Sequence, residues 1–261
     1  MHASVEEPIT PVPSTARRVT DVLFALTESE SGMSVRGIAE RTDNSRSSTH
    51  RILQVLSEDG YAEQRVDGGY VAGPKLVELG ARVFGVVPIL RYADELMRRL
   101  VLEVGETCYL ATFDREALFA TFVHRVESDQ PVRHVQPLGA RIPLHAGAVG
   151  KAILVAAEDI DPNTIELVRI TPHTLTTRRE FLKDLEVSRA RGYAVSHEER
   201  VEGIVGVAAA LKSGDTVVGG LAVAIPVSRV PKEGLEGVGD AIRKYAAAIS
   251  ATLTAMGVKR F

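Results

Sequence analysis

The segment NSRSSTHRILQVL, residues 44–56, places polar and apolar side chains on opposite sides of a predicted helix. At about 100° per residue, its aliphatic side chains cluster in one direction: Ile52, Leu53, Val55 and Leu56. The opposite arc, roughly 140° wide, carries hydrogen-bonding and positively charged groups: Arg46, Ser47, His50, Arg51 and Gln54. Arginine can bond guanine bidentately, glutamine can read adenine, and serine can hold a phosphate. The alternative is a small helical domain with a solvated polar face.

The flanking residues predict a winged helix-turn-helix around this segment. Apolar residues at i, i+3, i+4 and i+7 indicate a first helix: Val19, Val22, Leu23 and Leu26. Ser34 is a predicted N-cap of a second helix, and Gly60 a predicted left-handed C-cap of the third. Two β-prone runs, residues 61–66 and 70–72, flank a strong hairpin turn at Asp67-Gly68-Gly69. In this motif the second helix-turn-helix element enters the major groove, and Arg65 on the hairpin could reach the DNA backbone.

Charge counts limit how such a domain could bind nucleic acid. The whole chain has a net charge of −3, so any contact with DNA must be local. Residues 14–75 hold eight Arg or Lys against nine Asp or Glu, a balance of −1. The acids lie at helix ends and turns, whereas the proposed recognition face carries only positive charge. One domain should therefore bind weakly and with strong salt dependence, which favours a dimer on double-stranded DNA.

The remaining bulk features predict a soluble, cytoplasmic protein. Cys108 is the one cysteine, which excludes a disulfide framework and a cysteine-based zinc site. No run of about 18 apolar residues predicts a membrane span. Residues 1–13 contain three prolines and no periodicity, so we expect a flexible tail without a signal peptide.

The rest of the chain predicts a second domain of the α+β class. A helical stretch after Pro74 gives a linker helix over residues 75–90, between a DNA-binding domain at 14–74 and a second domain at 91–261. Its apolar positions exceed what one isolated helix could bury, so we expect it to pack on a partner chain. From Glu106 onward the period changes to two, and the predicted strands are CYLATF, ALFATFVHRV, VRHVQ, RIPLH, YAVS, GVAAALK and TVVGGLAVAI.

Several residues in this second domain could do chemistry, but they form no catalytic or metal constellation. GAVGKA lacks the first Gly and the final Ser or Thr of a phosphate loop. Two interpretations of this segment remain: a helix N-terminus that could hold a carboxylate, or a tight turn. Cys108 lies in a strand pattern and is more simply a buried structural residue. The Glu198-Glu199 pair could be a solvated turn. Three histidines are too scattered to predict a metal site: His145, His173 and His197.

From residue 14 onward the chain resembles the IclR (isocitrate lyase regulator) family of bacterial transcription factors. The motifs that carry the resemblance, in this order, are SSTHRILQVLSEDGYAE, GGYVAGPKLVELG, RIPLHAGAVGKAIL, RGYAVSHEERVEGIVGVAAAL and AIPVSR. The resemblance implies a winged helix-turn-helix, a linker helix and a GAF/PAS-like effector-binding domain. It also implies homodimers or tetramers on palindromic operators that respond to small metabolites, without a cofactor.

The resemblance also implies site residues. Arg46, Ser47, Thr49, His50 and Arg51 match the family's DNA-contacting helix, and the predicted DNA-binding set adds Ser48 and, from the residue types themselves, Gln54 and Arg65. For the effector, the resemblance gives Ala148, Val149, Ser196 or His197, Gly206, Ala222 and Ala224, and the predicted effector-binding set adds Leu144, His145 and Gly147. Family members that bind small polar acids offer Ser and Cys on the pocket strands, where this chain offers Gly and two alanines. We therefore expect a bulkier, more apolar effector, such as an aromatic acid or amide.

One alternative assigns the chain to a different class of protein. A GAF-like hydrolase or transferase could use Cys108 or the Glu198-Glu199 pair, with the N-terminal domain serving only for dimerisation. Such an enzyme would have no use for the Arg46 and Arg51 face, so DNA binding distinguishes the two interpretations.

Overall fold

The computed structural model describes residues 14–29, 31–86 and 88–258, and these fold as two units, one that ends at residue 86 and one that begins at residue 88. The tail predicted at residues 1–13 lies outside the described residues. Within those ranges no helix is long and apolar enough to cross a membrane. The domain boundaries predicted from the sequence stay predictions.

The first unit is a helical domain with a two-stranded wing. Its elements are α1 (Thr15–Leu26), α2 (Val35–Thr42), α3 (Arg46–Glu58), β1 (Ala62–Gln64), β2 (Tyr70–Ala72) and α4 (Pro74–Val86). Serine side chains accept hydrogen bonds from the first-turn N–H groups of α1, α2 and α3: Ser14, Ser34 and Ser45. The strands pair antiparallel, with Ala62 opposite Ala72. The helices and wing enclose one core: Val22, Leu26, Ile38, Leu53 and Tyr70.

Two details differ from the sequence-based expectations for this region. Val55 was predicted in the apolar cluster of α3 but is 56% exposed, because Thr49, Leu53 and Leu56 are the buried residues of this helix. Instead of one linker helix over 75–90, α4 ends at Val86 and α5 begins at Pro88. Proline has no backbone N–H to donate and is favoured at the first position of a helix, so a new helix starts there.

The second unit is a six-stranded antiparallel sheet with helices on both faces. Its strands are β3 (Thr107–Asp114), β4 (Phe119–Val126), β5 (Arg141–Pro143), β6 (Ala194–His197), β7 (Ile204–Ser213) and β8 (Thr216–Pro226), in the spatial order β5-β4-β3-β8-β7-β6. The helices are α5 (Pro88–Val104), α6 (Ala148–Ala156), α7 (Arg178–Arg191) and α8 (Glu236–Ala255). The predicted α+β class is confirmed.

Side chains alternate between two cores along the strands of this sheet. Cys108 and Leu110 of β3 pack with α5 and α8, whereas Tyr109 and Ala111 pack with α6 and α7. The predicted strand at residues 132–136 is wrong. The tyrosine hydroxyl of Tyr109 donates to the His134 carbonyl at 2.8 Å and accepts from the Gln136 N–H at 3.0 Å. These bonds hold the segment across the sheet rather than in a strand ladder.

Candidate functional site

The exposed face of α3 carries most of the side chains predicted to contact DNA. The exposed members of the set are Arg46, Ser47, His50, Arg51 and Gln54. Ser48 is half-buried, and its backbone N–H donates to Ser45 Oγ at 3.2 Å. Thr49 is a correction, because it is fully buried and its hydroxyl donates back to the Ser45 carbonyl at 3.1 Å. Thr49 therefore closes the first turn of the helix and does not reach outward.

The arginines of α3 are not neutralised by neighbouring carboxylates. Three other arginines of this unit pair with acids: Arg36 with Glu40, Arg41 with Glu28, and Arg82 with Glu78. Arg65 on the wing lies 3.7 Å from Asp67. Within the described residues, Arg46 and Arg51 make no ion pair, so both guanidinium groups remain available to phosphates or base edges.

A pocket in the second unit contains seven of the ten residues predicted to bind an effector. These residues are Gly147, Ala148, Val149, Ser196, Gly206, Ala222 and Ala224. The cavity has a volume of about 50 Å³, several times the ~10–15 Å³ that one water requires. With its solvent-open mouth, the unfilled space is about 500 Å³.

Three predicted pocket residues lie elsewhere, which corrects the sequence-based set. Leu144 is buried in the core beneath α6. His145 is buried, and its Nε2 lies 2.8 Å from the Val168 carbonyl. His197 is exposed because it follows Ser196 on β6, and successive residues of a strand face opposite sides.

The turn into α6 brings backbone to the edge of this pocket. Gly147 is the N-cap of α6 with a φ of 93°, a left-handed conformation that favours glycine. A Cβ added at Gly150 would lie 2.5 Å from the Pro143 carbonyl oxygen, so the helix packs on β5 at backbone distance. The first residues of the helix, Ala148 and Val149, consequently form one wall of the pocket.

Sequence reasoning missed the larger side chains of the pocket: Tyr109, Phe122, His134, Gln136 and Arg200. The ring centroids of Tyr109 and Phe122 lie 4.7 Å apart, and the Arg200 guanidinium lies 5.7 Å from the Phe122 ring centroid. Burial lowers the pKa of Arg200. The pKa of His134 is also lowered, by burial first and by the nearby Arg200 charge second. No local signal marks these residues, because they come from separate strands and loops.

A buried ion cluster supports the turn beneath the pocket. The Lys151 side chain on α6 is fully buried, and its Nζ donates to Glu199 Oε1 at 2.5 Å and to the Val195 carbonyl at 2.6 Å. Asp184 Oδ2 on α7 lies 2.8 Å from the same Nζ as an ion pair. Glu199 Oε2 accepts from the Gly147 N–H at 3.3 Å. Burial raises the pKa of Glu199, and the Lys151 charge opposes that shift.

The residues considered for catalysis have structural roles in the second unit. Cys108 is fully buried, and burial raises the pKa of its thiol, so the reactive thiolate is disfavoured. Glu198 has a positive φ of 58° and its Oε2 accepts from the Gly203 N–H at 2.7 Å. Glu199 is engaged in the ion cluster. The described residues contain no group of three or more His, Cys, Asp or Glu placed to hold a metal ion.

Comparison with known proteins adds independent evidence. Residues 15–66 match the IclR helix-turn-helix domain model, and residues 81–251 match that of the bacterial transcriptional regulator IclR C-terminal domain. The chain belongs to the IclR family of bacterial transcriptional regulators. The predicted family is thereby confirmed, and so is the function of a DNA-binding regulator with a C-terminal effector domain. It is not an enzyme, which overturns the alternative built on Cys108 and Glu198-Glu199.

Individual relatives match over nearly the whole chain. The HTH-type transcriptional repressor AllR of Escherichia coli is 34% identical over 244 residues, which span 91% of this chain and 88% of AllR. The crystal structure of Thermotoga maritima IclR is 28% identical with a TM-score of 0.69, and the match covers 92% of this chain and 98% of that chain. An IclR regulator from Alicyclobacillus acidocaldarius, 24% identical, shares the fold with a TM-score of 0.82 over 94% and 100% of the two chains.

Proposed function

We propose that this IclR-family regulator binds a palindromic operator as a dimer or dimer of dimers and represses transcription until a small effector binds the second unit. The observation that carries the proposal is the α3 face, where Arg46, Ser47, His50, Arg51 and Gln54 are exposed and no carboxylate among the described residues pairs with the two arginines. Repression is proposed from the name of AllR, a repressor with 34% identity. The site of action is the cytoplasm.

The amphipathic character of α4 supports the dimer. Its side chains Leu79 and Val83, one turn apart on the same side of the helix, are 50% and 46% exposed and form an apolar surface that a partner chain would cover. A dimer also doubles the number of recognition helices, which compensates for the near-neutral charge of each domain. Val83→Asp should therefore convert the protein toward monomer in analytical ultracentrifugation and weaken operator binding.

The test of DNA recognition is footprinting of the DNA beside the protein's own gene across a salt series. Arg51→Ala should cost roughly 1–3 kcal/mol in specific binding if the side chain reads a base. If it contacts a phosphate, binding should weaken on all sequences and the salt slope should fall by about 0.9 for each lost contact.

Arg36→Ala is the matched control, because Arg36 is also exposed on a helix of the same unit but pairs with Glu40. It should leave the footprint unchanged. Feeble, sequence-blind binding by the wild-type protein, or equal effects of the two substitutions, would contradict the proposal.

The pocket supports an effector with an apolar body. Val149, Ile142 and Phe122 contribute apolar walls, and Ala222 and Ala224 leave room where polar side chains would otherwise project. Such a ligand shifts operator affinity only to the extent that it binds the two DNA-binding states differently. Calorimetry should therefore show tighter binding of small aromatic acids or amides than of glyoxylate or pyruvate, and the reverse order would overturn this part of the proposal.

A further inference from the structure

The effector pocket contains a positive charge with no anionic partner. Arg200 follows β6 and lines the pocket next to Gly147 and the Phe122 ring. Across residues 14–29, 31–86 and 88–258, its guanidinium makes no hydrogen bond and no ion pair with another side chain or carbonyl. Arginine stays protonated in proteins, so this partly buried side chain brings a positive charge to the cavity.

The two carboxylates that directly precede Arg200 in the chain do not neutralise it, because both are bound elsewhere. Glu199 bonds Lys151 and the Gly147 N–H, while Glu198 accepts from the Gly203 N–H. Arg229 shows the usual arrangement for comparison, with its Nε and Nη2 at 2.5 and 2.7 Å from the two oxygens of Glu106. Arg200 therefore has the charge and the five N–H donors of a carboxylate-binding fork without a carboxylate.

A second, independent feature also indicates a polar ligand. His134 Nε2 and Gln136 Oε1 are buried without a hydrogen-bond partner, and both residues line the same pocket as Arg200. The Tyr109 hydroxyl fixes their backbone, and the Arg125 Nη1 donates to the Gln136 carbonyl at 2.9 Å. Buried polar groups of native proteins are normally satisfied by protein, water or ligand, so these two atoms mark a place in the cavity where a polar group can bind.

We infer that Arg200 binds the carboxylate of the effector and that His134 and Gln136 bind a second polar group of the same molecule. Resting on the proposed function, this inference narrows the effector to a small monocarboxylic acid with an apolar or aromatic body. A neutral amide of the same shape would leave the Arg200 charge uncompensated. Arg200 is thus the residue that separates acids from amides.

The experiment compares isosteric pairs on the full-length protein by titration calorimetry: benzoate with benzamide, 4-hydroxybenzoate with 4-hydroxybenzamide, and phenylacetate with phenylacetamide. We expect at least one acid to bind about tenfold or more tighter than its amide, the ratio that one charge-assisted contact provides. Arg200→Met should abolish this preference by weakening the acid and not the amide. Arg229→Met, which removes a paired arginine, should preserve the preference.

Melting temperature without ligand gives a readout independent of the probes. Removing an uncompensated charge should leave the melting temperature of Arg200→Met unchanged or raised, whereas Arg229→Met should lower it by leaving Glu106 buried and unpaired. A lowered melting temperature for Arg200→Met would assign Arg200 a structural role and overturn the inference.

The inference is also overturned if amides bind as well as acids, or if no acid of the panel binds with a Kd below about 10 mM. Failure of the proposed function is a separate result, because it appears as a missing operator footprint of the wild-type protein without any ligand.

Discussion

Replacing Lys151 with methionine is the most direct test of how the second unit holds its pocket. The wild-type Nζ lies within 2.8 Å of three oxygens: Glu199 Oε1, the Val195 carbonyl and Asp184 Oδ2. In Lys151→Met, buried Glu199 would retain only the 3.3 Å bond from the Gly147 N–H. Removing one partner of a buried ion pair costs about 3–5 kcal/mol, because the other charge is left desolvated. At about 2–4 °C per kcal/mol, the melting temperature should fall by about 6–20 °C.

The stability lost in Lys151→Met should depend on pH, and the direction of this dependence follows from the pKa of Glu199. Burial already raises the pKa of Glu199 in the folded protein, and removing the Lys151 charge should raise it further. When a carboxyl group has a higher pKa in the folded state than in the unfolded state, the protein becomes less stable as the pH rises between the two pKa values. At low pH it is protonated in both states, so the deficit should be smaller at pH 5 than at pH 8. One such proton changes stability by at most ~1.4 kcal/mol per pH unit.

Urea unfolding of the wild type and the variant at pH 5 and pH 8 measures both effects. Lys244→Met is the matched control, because Lys244 pairs with Glu103 at 2.8 Å but both side chains are largely exposed, so little change is expected. If Lys151→Met fails to fold, adding Glu199→Leu should restore folding by removing the stranded carboxylate. A deficit equal to that of the control, or one that grows toward pH 5, would refute the reasoning.

Three further substitutions and one chemical modification test local features. Ser45→Ala removes the side-chain bond to the Ser48 N–H and should cost about 1 kcal/mol in urea unfolding of the first unit. Gly150→Ala, with its Cβ 2.5 Å from the Pro143 carbonyl oxygen, should cost about 1–3 kcal/mol, whereas Gly80→Ala in open space on α4 should stabilise by up to about 1 kcal/mol. Cys108 is buried, and burial raises the pKa of its thiol. It should therefore react with a thiol reagent at the rate at which the protein unfolds, and faster only if the core opens locally.

Much of the fold could be predicted because its signals are local. Ser34, Ser45 and Thr177 are N-caps in the structure, each accepting a hydrogen bond from the N–H three residues later. Gly192 ends α7 in the left-handed conformation, and a glycine directly after a helical run is a local signal of this kind. Strand alternation likewise follows from neighbouring residues, so the α+β class was accessible. The segment at residues 132–136 was not, because its partner is a tyrosine hydroxyl more than twenty residues away.

The exposed face of α3 was determined by the sequence alone, since helical periodicity places polar and apolar side chains on opposite sides. Periodicity also places Thr49 on the buried side, four residues before Leu53 and seven before Leu56, and only the family resemblance had assigned it to the DNA-contacting set. The pocket depended far more on tertiary structure. Strand register sets Ala222 opposite Tyr109, and Ala224 opposite Gly206, across the sheet.

Charge shows the same division most clearly. In the sequence, nothing distinguishes Lys151 and Arg200 from basic residues that are exposed on the surface. The fold buries Lys151 against two carboxylates and leaves Arg200 in a cavity with none. Local sequence determined which helices and turns form, because their hydrogen bonds span three or four residues. Only the tertiary structure decided which charges lose water and which of them find a partner, because those contacts join residues tens of positions apart.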